Sequence, residues 1–156
     1  MKQFHRVERY LDRIREIYRG RPHIYSDPLN YEDDVVSFFV HCHHLYDWVA
    51  ARDMPGGSKA ELNAFINAHQ ELVVCADLCN GSKHCKLERV RGGTQPRLIG
   101  NSWIIATYVP ATGRPVTFQA SYRILSGTRS LDALALAETC YRLWRDRYRQ
   151  MALTRI

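Results

Sequence analysis

The sequence predicts a mainly helical (α+β) protein, a helical bundle with one antiparallel β-hairpin before its C-terminal helix. Apolar residues recur at helical spacing in four long segments, and they alternate with polar residues in one segment near positions 116–124. The length of 156 residues suits one domain with a sizeable core and is short for two. We therefore expect a single domain over residues 1–156.

The composition is that of an ordinary soluble globular protein, with 46% hydrophobic and 24% charged residues. The N-terminal segment is charged throughout, and no apolar run reaches the length needed to cross a bilayer. These features predict a cytoplasmic protein without a membrane partner. The five cysteines, an odd number placed mostly in helical patterns, indicate reduced and buried thiols rather than a disulfide framework.

The first predicted helix covers about residues 2–19, and Gly20 and Pro22 end it. The second covers about 31–51, and its core-facing arc is Val35, Phe38, Phe39, Cys42, Leu45, Tyr46 and Val49. The third begins after a capping box at Ser58–Glu61 and is predicted to continue to about residue 86.

A hairpin is predicted over about residues 102–124, with the segment PATGRP as its turn. We expect this hairpin to pack on the helices, because an isolated two-stranded hairpin is marginally stable. The last predicted helix covers about 131–151 and follows the segment SGTRS as a connection.

The stretch CADLCNGSKHC, residues 75–85, combines cysteines with polar residues and invites a comparison with metal sites. On a helical wheel its polar side chains share one arc, and its cysteines face the opposite, apolar side. Thiolates and an imidazole on opposite sides of one helix cannot converge on one zinc ion. We therefore expect no metal and no cofactor. The residues of the polar arc are Asp77, Asn80, Lys83 and His84.

A second polar pair, His44 and Asp47, lies on the 31–51 helix beside apolar residues, so we expect it at a partly buried junction. If the two helices form an antiparallel pair, both polar groups could line one pocket. Such a pocket could support acid–base chemistry, because burial and neighbouring charges tune the pKa of histidine. The alternative is a hydrogen-bond network that only fixes how the helices pack.

The segments FFVHCHHLYDWV and CADLCNGSKH resemble those of an uncharacterised bacterial protein group with a Cys-x-His-Leu-x-Asp-Trp helix and a Cys-Ala-Asp-x-x-Asn-Gly-Ser-Lys-His helix. The final DALALAETCYRLW segment fits the same group. The layout also resembles a distant HEPN domain, a helical bundle whose arginine and histidine form a ribonuclease site, often across a dimer. That resemblance places Asn80 and His84 on the motif, with Cys79 at the position of the arginine.

The resemblance implies a metal-independent, RNA-directed nuclease of toxin or defence type, with a homodimer and a small protein as further expected partners. In this hypothesis His84 is the general base or acid, while Asn80 and Lys83 hold the phosphate. His44, with Asp47 or Asp77, would orient the histidine.

Three arginines of the first helix, Arg6, Arg9 and Arg13, are candidates for binding RNA, and the formal net charge of +6 is compatible with a polyanionic partner. A solvated basic face explains the same arginines without RNA. The main alternative function is a non-catalytic HEPN-like module that binds a protein or nucleotide partner. A hydrolase of small nucleotides lacks support from any phosphate-binding glycine loop.

Overall fold

The computed structural model describes residues 2–22, 30–52, 54–83, 87, 90–101 and 117–154. In chain order the described elements are α1 (Lys2–Arg19), β1 (Arg21–Pro22), α2 (Asn30–His43), α3 (Leu45–Ala50), α4 (Lys59–Asn67), α5 (Gln70–Lys83), β2 (Arg97–Asn101), β3 (Thr117–Phe118), β4 (Ser121–Ser126), β5 (Arg129–Asp132) and α6 (Ala133–Leu153). The predicted class, mainly α with a smaller antiparallel sheet, is confirmed. Within these segments, no helix combines the length and the apolar character that crossing a bilayer would require.

Helix α5 lies at the centre of the bundle. It packs mainly on α2, and it also contacts α4 and α6. Every residue from Leu72 to Asp77 is buried, so this helix has no solvated side over its middle turns. A helix that is enclosed all round in this way belongs to the core rather than to the surface layer.

The apolar stripes predicted for the outer helices are confirmed. On α1, the residues Val7, Leu11, Ile14 and Ile17 are fully buried. On α2 and α3, all but one of the predicted core residues are buried, and Tyr46 is partly buried. One buried polar residue, Gln3, was not predicted; its side-chain amide donates to the carbonyl of His41 at 2.8 Å and so ties α1 to α2.

The two long predicted helices are each divided in the structure. The 31–51 helix has an irregular turn at His44, although the backbone hydrogen bonds His44 N to Val40 O and Trp48 N to His44 O keep α2 and α3 nearly continuous. The 59–86 helix is interrupted at Ala68 and His69.

His69 explains the second interruption. Its ring Nδ1 lies 2.8 Å from the carbonyl oxygen of Phe65, while its own carbonyl accepts the backbone N–H groups of Leu72 and Val73. A side chain that bonds the backbone locally competes with helix continuation. The carbonyl of His69 therefore starts α5 as a new helix, and α4 and α5 are separate elements.

The sheet differs from the predicted hairpin. Strand β4 is central and pairs antiparallel with β2 on one side and with β5 on the other. The first predicted hairpin strand, residues 103–109, and the predicted PATGRP turn lie outside the described residues. The alternation in the second is confirmed, because Ala120, Tyr122 and Ile124 are buried and Arg123 is exposed. These residues pack on the helices, as predicted.

The SGTRS segment is the turn of a hairpin rather than a simple connection. Ser126 pairs with Arg129, and the two residues between them form the loop. Gly127 has a φ of +61°, which a glycine adopts without the steric cost that other residues incur. Asp132 then caps α6, because its carboxylate accepts the backbone N–H of Ala135 at 2.9 Å.

The hydroxyl of Tyr18 joins the end of α1 to the sheet and to α6. It lies 2.9 Å from Tyr122 O and 3.2 Å from the carboxylate of Asp132, and it accepts the backbone N–H groups of Tyr122 and Leu134. Burial raises the pKa of this phenol, which therefore stays protonated in the neutral range. One side chain thus connects three elements.

Replacing Tyr18 with phenylalanine should lower the free energy of unfolding by about 1–3 kcal/mol, because partly buried backbone groups lose their partner. Urea unfolding measures the change. Tyr148→Phe is the matched control, since no hydrogen bond of the Tyr148 hydroxyl occurs within the described part of the chain. Equal stability of the two variants would contradict the role of the Tyr18 hydroxyl.

Candidate functional site

Helices α2 and α5 run antiparallel, which determines which predicted site residues can meet. The thiol of Cys75 lies 3.5 Å from Phe39 O, and the N-terminal half of α2 lines a cavity with Leu78, Gly81 and Ser82 at the far end of α5. At the other end, Asn63 of α4 donates to the hydroxyl of Tyr46 of α3 at 3.0 Å. The end of α2 therefore faces the beginning of α5.

This direction separates the two halves of the predicted polar pocket. His44 and Asp47 follow the end of α2, whereas Asn80 is near the end of α5. At a rise of about 1.5 Å per residue, His44 and Asn80 are displaced by roughly 15 Å along the helix axes. The structure therefore does not bring these residues into one site. His44 is partly buried as expected, but Asp47 is exposed.

Asp77, a predicted catalytic residue, is a structural group in the fold. Its side chain is buried, and its carboxylate accepts the backbone N–H groups of Arg91 at 3.0 Å and Gly92 at 2.8 Å. A Cβ atom on Gly92 would lie 3.3 Å from the same carboxylate, so a larger residue would crowd this close approach. The Asp77 position of the predicted polar arc is thus covered by this loop.

The other residues of the predicted arc are placed only in part. Asn80 is partly buried on α5. Lys83 is the last residue of α5, but its side chain and the whole of His84 lie outside the described residues. The roles assigned to Lys83 and His84 therefore stay predictions.

The basic face of α1 is divided. Arg13 forms an ion pair with Asp34 of α2 at 2.8 Å, and this contact raises the pKa of its guanidinium. It therefore connects α1 to α2, and its part in binding RNA stays a prediction. Arg6 and Arg9 are exposed. Burial lowers the pKa of His41, and the charges of Arg6 and Arg9 add to this effect.

A different polar cluster does assemble, around Arg91 in the loop that Asp77 anchors. The guanidinium of Arg91 donates to the side-chain oxygens of two asparagines of α4, Asn67 at 3.2 Å and Asn63 at 3.1 Å. The two asparagines are four residues apart and so share one face of the helix. Backbone anchoring and side-chain anchoring together hold the arginine in place.

The acceptors that the structure describes for the Arg91 guanidinium are neutral and do not compensate its positive charge. In the described part of the chain, no carboxylate lies within 4.0 Å of this guanidinium. Arg91 is also exposed, and a guanidinium has more donors than the two asparagines use. An orientated, exposed guanidinium of this kind suits a phosphate or carboxylate ligand.

His43, the last residue of α2, is connected to this arginine through Tyr46 and Asn63, and it is close enough for the charge of Arg91 to act on its imidazole. Burial lowers the pKa of His43 below its ordinary value of 6.5; the thiol of Cys75 opposes this effect, and the charge of Arg91 adds to it. The imidazole is therefore neutral at pH 7 and can accept a proton. Its ring is parallel to that of Tyr46, with 6.4 Å between centroids.

The cluster of His43, Tyr46, Asn63, Asn67 and Arg91, which we call the Arg91 site, combines a proton acceptor, a hydroxyl and a cation at the junction of α2, α4 and the 90–92 loop. Sequence reasoning missed it. Adjacent histidines on a helix point about 100° apart, so the run His41–His44 does not indicate a joint site, and Arg91 lies in a loop without a helical pattern. Asn63 and Asn67 at i and i+4 were the available signal.

The cysteines follow the sequence prediction where they are described. Cys42, Cys75, Cys79 and Cys140 are buried and form no disulfide bond, and burial raises the pKa of the Cys42 thiol. Across the described segments, no group of three His, Cys, Asp or Glu side chains is arranged to hold a metal ion.

The chain matches no family model, and searches of curated proteins and of solved structures find no significant match.

Replacing Asp77 with alanine should lower the free energy of unfolding by about 1–3 kcal/mol, since two backbone N–H groups lose a charged acceptor. Hydrogen exchange of the Arg91 and Gly92 amides should accelerate by more than the loss of global stability explains. Asp47→Ala is the control, because Asp47 is exposed. Unchanged protection of both amides in Asp77→Ala would contradict the anchoring role.

Proposed function

We propose that this protein is a metal-independent, RNA-directed nuclease whose reaction takes place at the Arg91 site. The observation that carries the proposal is the exposed guanidinium of Arg91, held only by amide oxygens within the described residues, beside a histidine that is neutral at pH 7. Cleavage of RNA without a metal needs a base for the 2′-hydroxyl and a cation for the charge that develops on phosphate. Both groups are present in one place.

The chemistry assigns one role to each group. His43 accepts the proton of the 2′-hydroxyl, and the 2′-oxygen attacks the adjacent phosphorus. Arg91 binds the non-bridging phosphate oxygens as their charge increases. The bond from phosphorus to the 5′-oxygen breaks, and this oxygen takes a proton from water. The hydroxide that remains takes the proton from His43, which restores the neutral imidazole. The products are a 2′,3′-cyclic phosphate and a 5′-hydroxyl, so DNA, which lacks the 2′-hydroxyl, is not a substrate.

The asparagines and Tyr46 position the two reactive groups. The side chain of Asn63 bonds both Arg91 and Tyr46, so it connects the 90–92 loop to α3. The exposed Arg6 and Arg9 and the net charge of +6 support attraction of a polyanion at longer range.

Labelled RNA incubated with the protein in a chelator should be cleaved to fragments that end in 2′,3′-cyclic phosphate. His43→Ala should reduce the rate by about 10²–10⁴-fold, because a general base contributes that much. Arg91→Gln should also reduce it, while His5→Ala, which changes an exposed histidine, should cleave like the wild type. A purified wild-type protein that does not cleave, or a fully active His43→Ala variant, would refute the proposal. His84→Ala in the same assay tests the histidine that the sequence singled out.

The rate of cleavage should fall as the pH is lowered through the pKa of His43, because a protonated imidazole cannot act as a base. Burial lowers that pKa, so the midpoint of the acid limb should lie below 6.5. A series of single-turnover rates between pH 4.5 and pH 8 measures it, at conditions where folding is verified by circular dichroism. A midpoint above 6.5 would show that another group is the base.

A second candidate function is a non-catalytic module that binds RNA, a nucleotide or a protein partner. The finding that favours it is Asp77, which the sequence placed in the catalytic set and which here bonds the backbone of its own loop. Binding of RNA that depends on Arg91, without cleavage by the wild type, would identify this module. The homodimer, the small protein partner and the toxin or defence role remain predictions of the resemblance.

A further inference from the structure

A cavity of about 300 Å³ lies between the N-terminal half of α2, the end of α5 and the start of β2. Its apolar wall consists of aliphatic residues and the buried Phe39. Partly open pockets of this size with an apolar wall hold small planar ligands. The apolar lining residues are Val36, Phe39, Leu78, Pro96 and Leu98.

The polar groups that line the cavity have complementary charges. Glu32 contributes a carboxylate and Arg97 a guanidinium, and both residues are exposed. Over the described residues, neither side chain has an ion-pair partner within 4.0 Å. Gln95 is already orientated, because its side-chain oxygen accepts the backbone N–H of Leu87. The cavity therefore presents one acceptor and one donor group that are available to a ligand.

The cavity and the Arg91 site adjoin along the same side of α2. Glu32, Val36, Phe39 and His43 are spaced by four, three and four residues, which places them in one stripe of the helix. From Phe39 to His43 the helix advances about 6 Å. The loop that carries Arg91 continues directly into Gln95 and Arg97. One ligand could therefore occupy the cavity and the Arg91 site together.

We propose that this cavity binds a guanine base of the RNA whose phosphate lies at Arg91. The proposal rests on the proposed function in so far as base and phosphate belong to one substrate. Guanine has two adjacent N–H donors, N1 and N2, that a carboxylate can accept in a bidentate manner. It also has two adjacent acceptors, O6 and N7, that an arginine recognises in a bidentate manner.

The other bases fit this pair of charges less well. Adenine has an amino donor but no second N–H beside it, and its N6 amino group would face the guanidinium where guanine has O6. Cytosine offers a single amino group, and uracil offers a single N–H. The apolar wall of the cavity can accept any base, so the selectivity depends on Glu32 and Arg97.

The test is calorimetric titration of the intact protein with guanosine 5′-monophosphate and, separately, with adenosine 5′-monophosphate. The guanine nucleotide should bind about ten-fold more tightly or better, because each bidentate pair discriminates by that order. Inosine 5′-monophosphate lacks only the N2 amino group and should bind more weakly than the guanine nucleotide. Glu32→Gln should remove the difference between guanine and inosine nucleotides.

Each control variant removes one charged group outside the cavity, with the same sign as the group in the cavity that it is matched to. Asp33→Asn changes a carboxylate on the same turn of α2, and Arg142→Gln changes an exposed arginine of α6. Both should bind like the wild type, whereas Arg97→Gln should lose affinity for the guanine nucleotide. All four substituted side chains are exposed, so folding should be retained and is checked by circular dichroism.

Equal affinity for guanine and adenine nucleotides, absence of binding to both, or an unchanged preference in Glu32→Gln would overturn the guanine proposal. These results would not affect RNA cleavage at Arg91, which the chelator assay measures independently. Selective guanine binding by a protein that does not cleave RNA would refute the nuclease and support the pocket.

Discussion

The buried carboxylate of Asp77 is the interaction on which the arrangement of polar groups depends. It lies inside the bundle on the central helix, where an ionised group is costly unless it is hydrogen-bonded. The fold meets this requirement with the backbone N–H groups of Arg91 and Gly92. Hydrogen bonds to a charged acceptor contribute about 1.5–3 kcal/mol each, so the carboxylate and the loop stabilise one another.

Anchoring this loop has a chemical consequence, because it carries Arg91 and leads to Arg97. Arg91 is bonded to two amide oxygens of α4, and Arg97 lines the cavity beside α2. Neutral acceptors orientate a guanidinium without neutralising it, whereas a carboxylate partner would do both. The contrast with Arg13, which is paired with Asp34, shows how the same residue type serves packing in one place and leaves a charge available in another.

The sequence predicted the helices and their buried faces well, but the site only in part. The stripe on α1 and the inward cysteines followed from spacing along one element. The missed features depend on contacts between elements. His69 interrupts a helix because its own side chain bonds the backbone. Strand β4 pairs with a strand on each side, and one of them, residues 97–101, has no clear alternation of apolar and polar residues. Asp77 was placed on the correct arc, but its partner is a loop fourteen residues away.

By itself, the sequence determined the class of fold, the inward direction of the thiols and the excess of positive charge, since these follow from composition and from the angular period of a helix. Only the tertiary structure decided which polar groups meet. The antiparallel direction of α2 and α5 separates His44 from Asn80, and the capture of the 90–92 loop by Asp77 brings Arg91 to His43. The physical reason is that helical periodicity sets the direction of a side chain around its own axis. The neighbour it encounters depends on how separate elements pack.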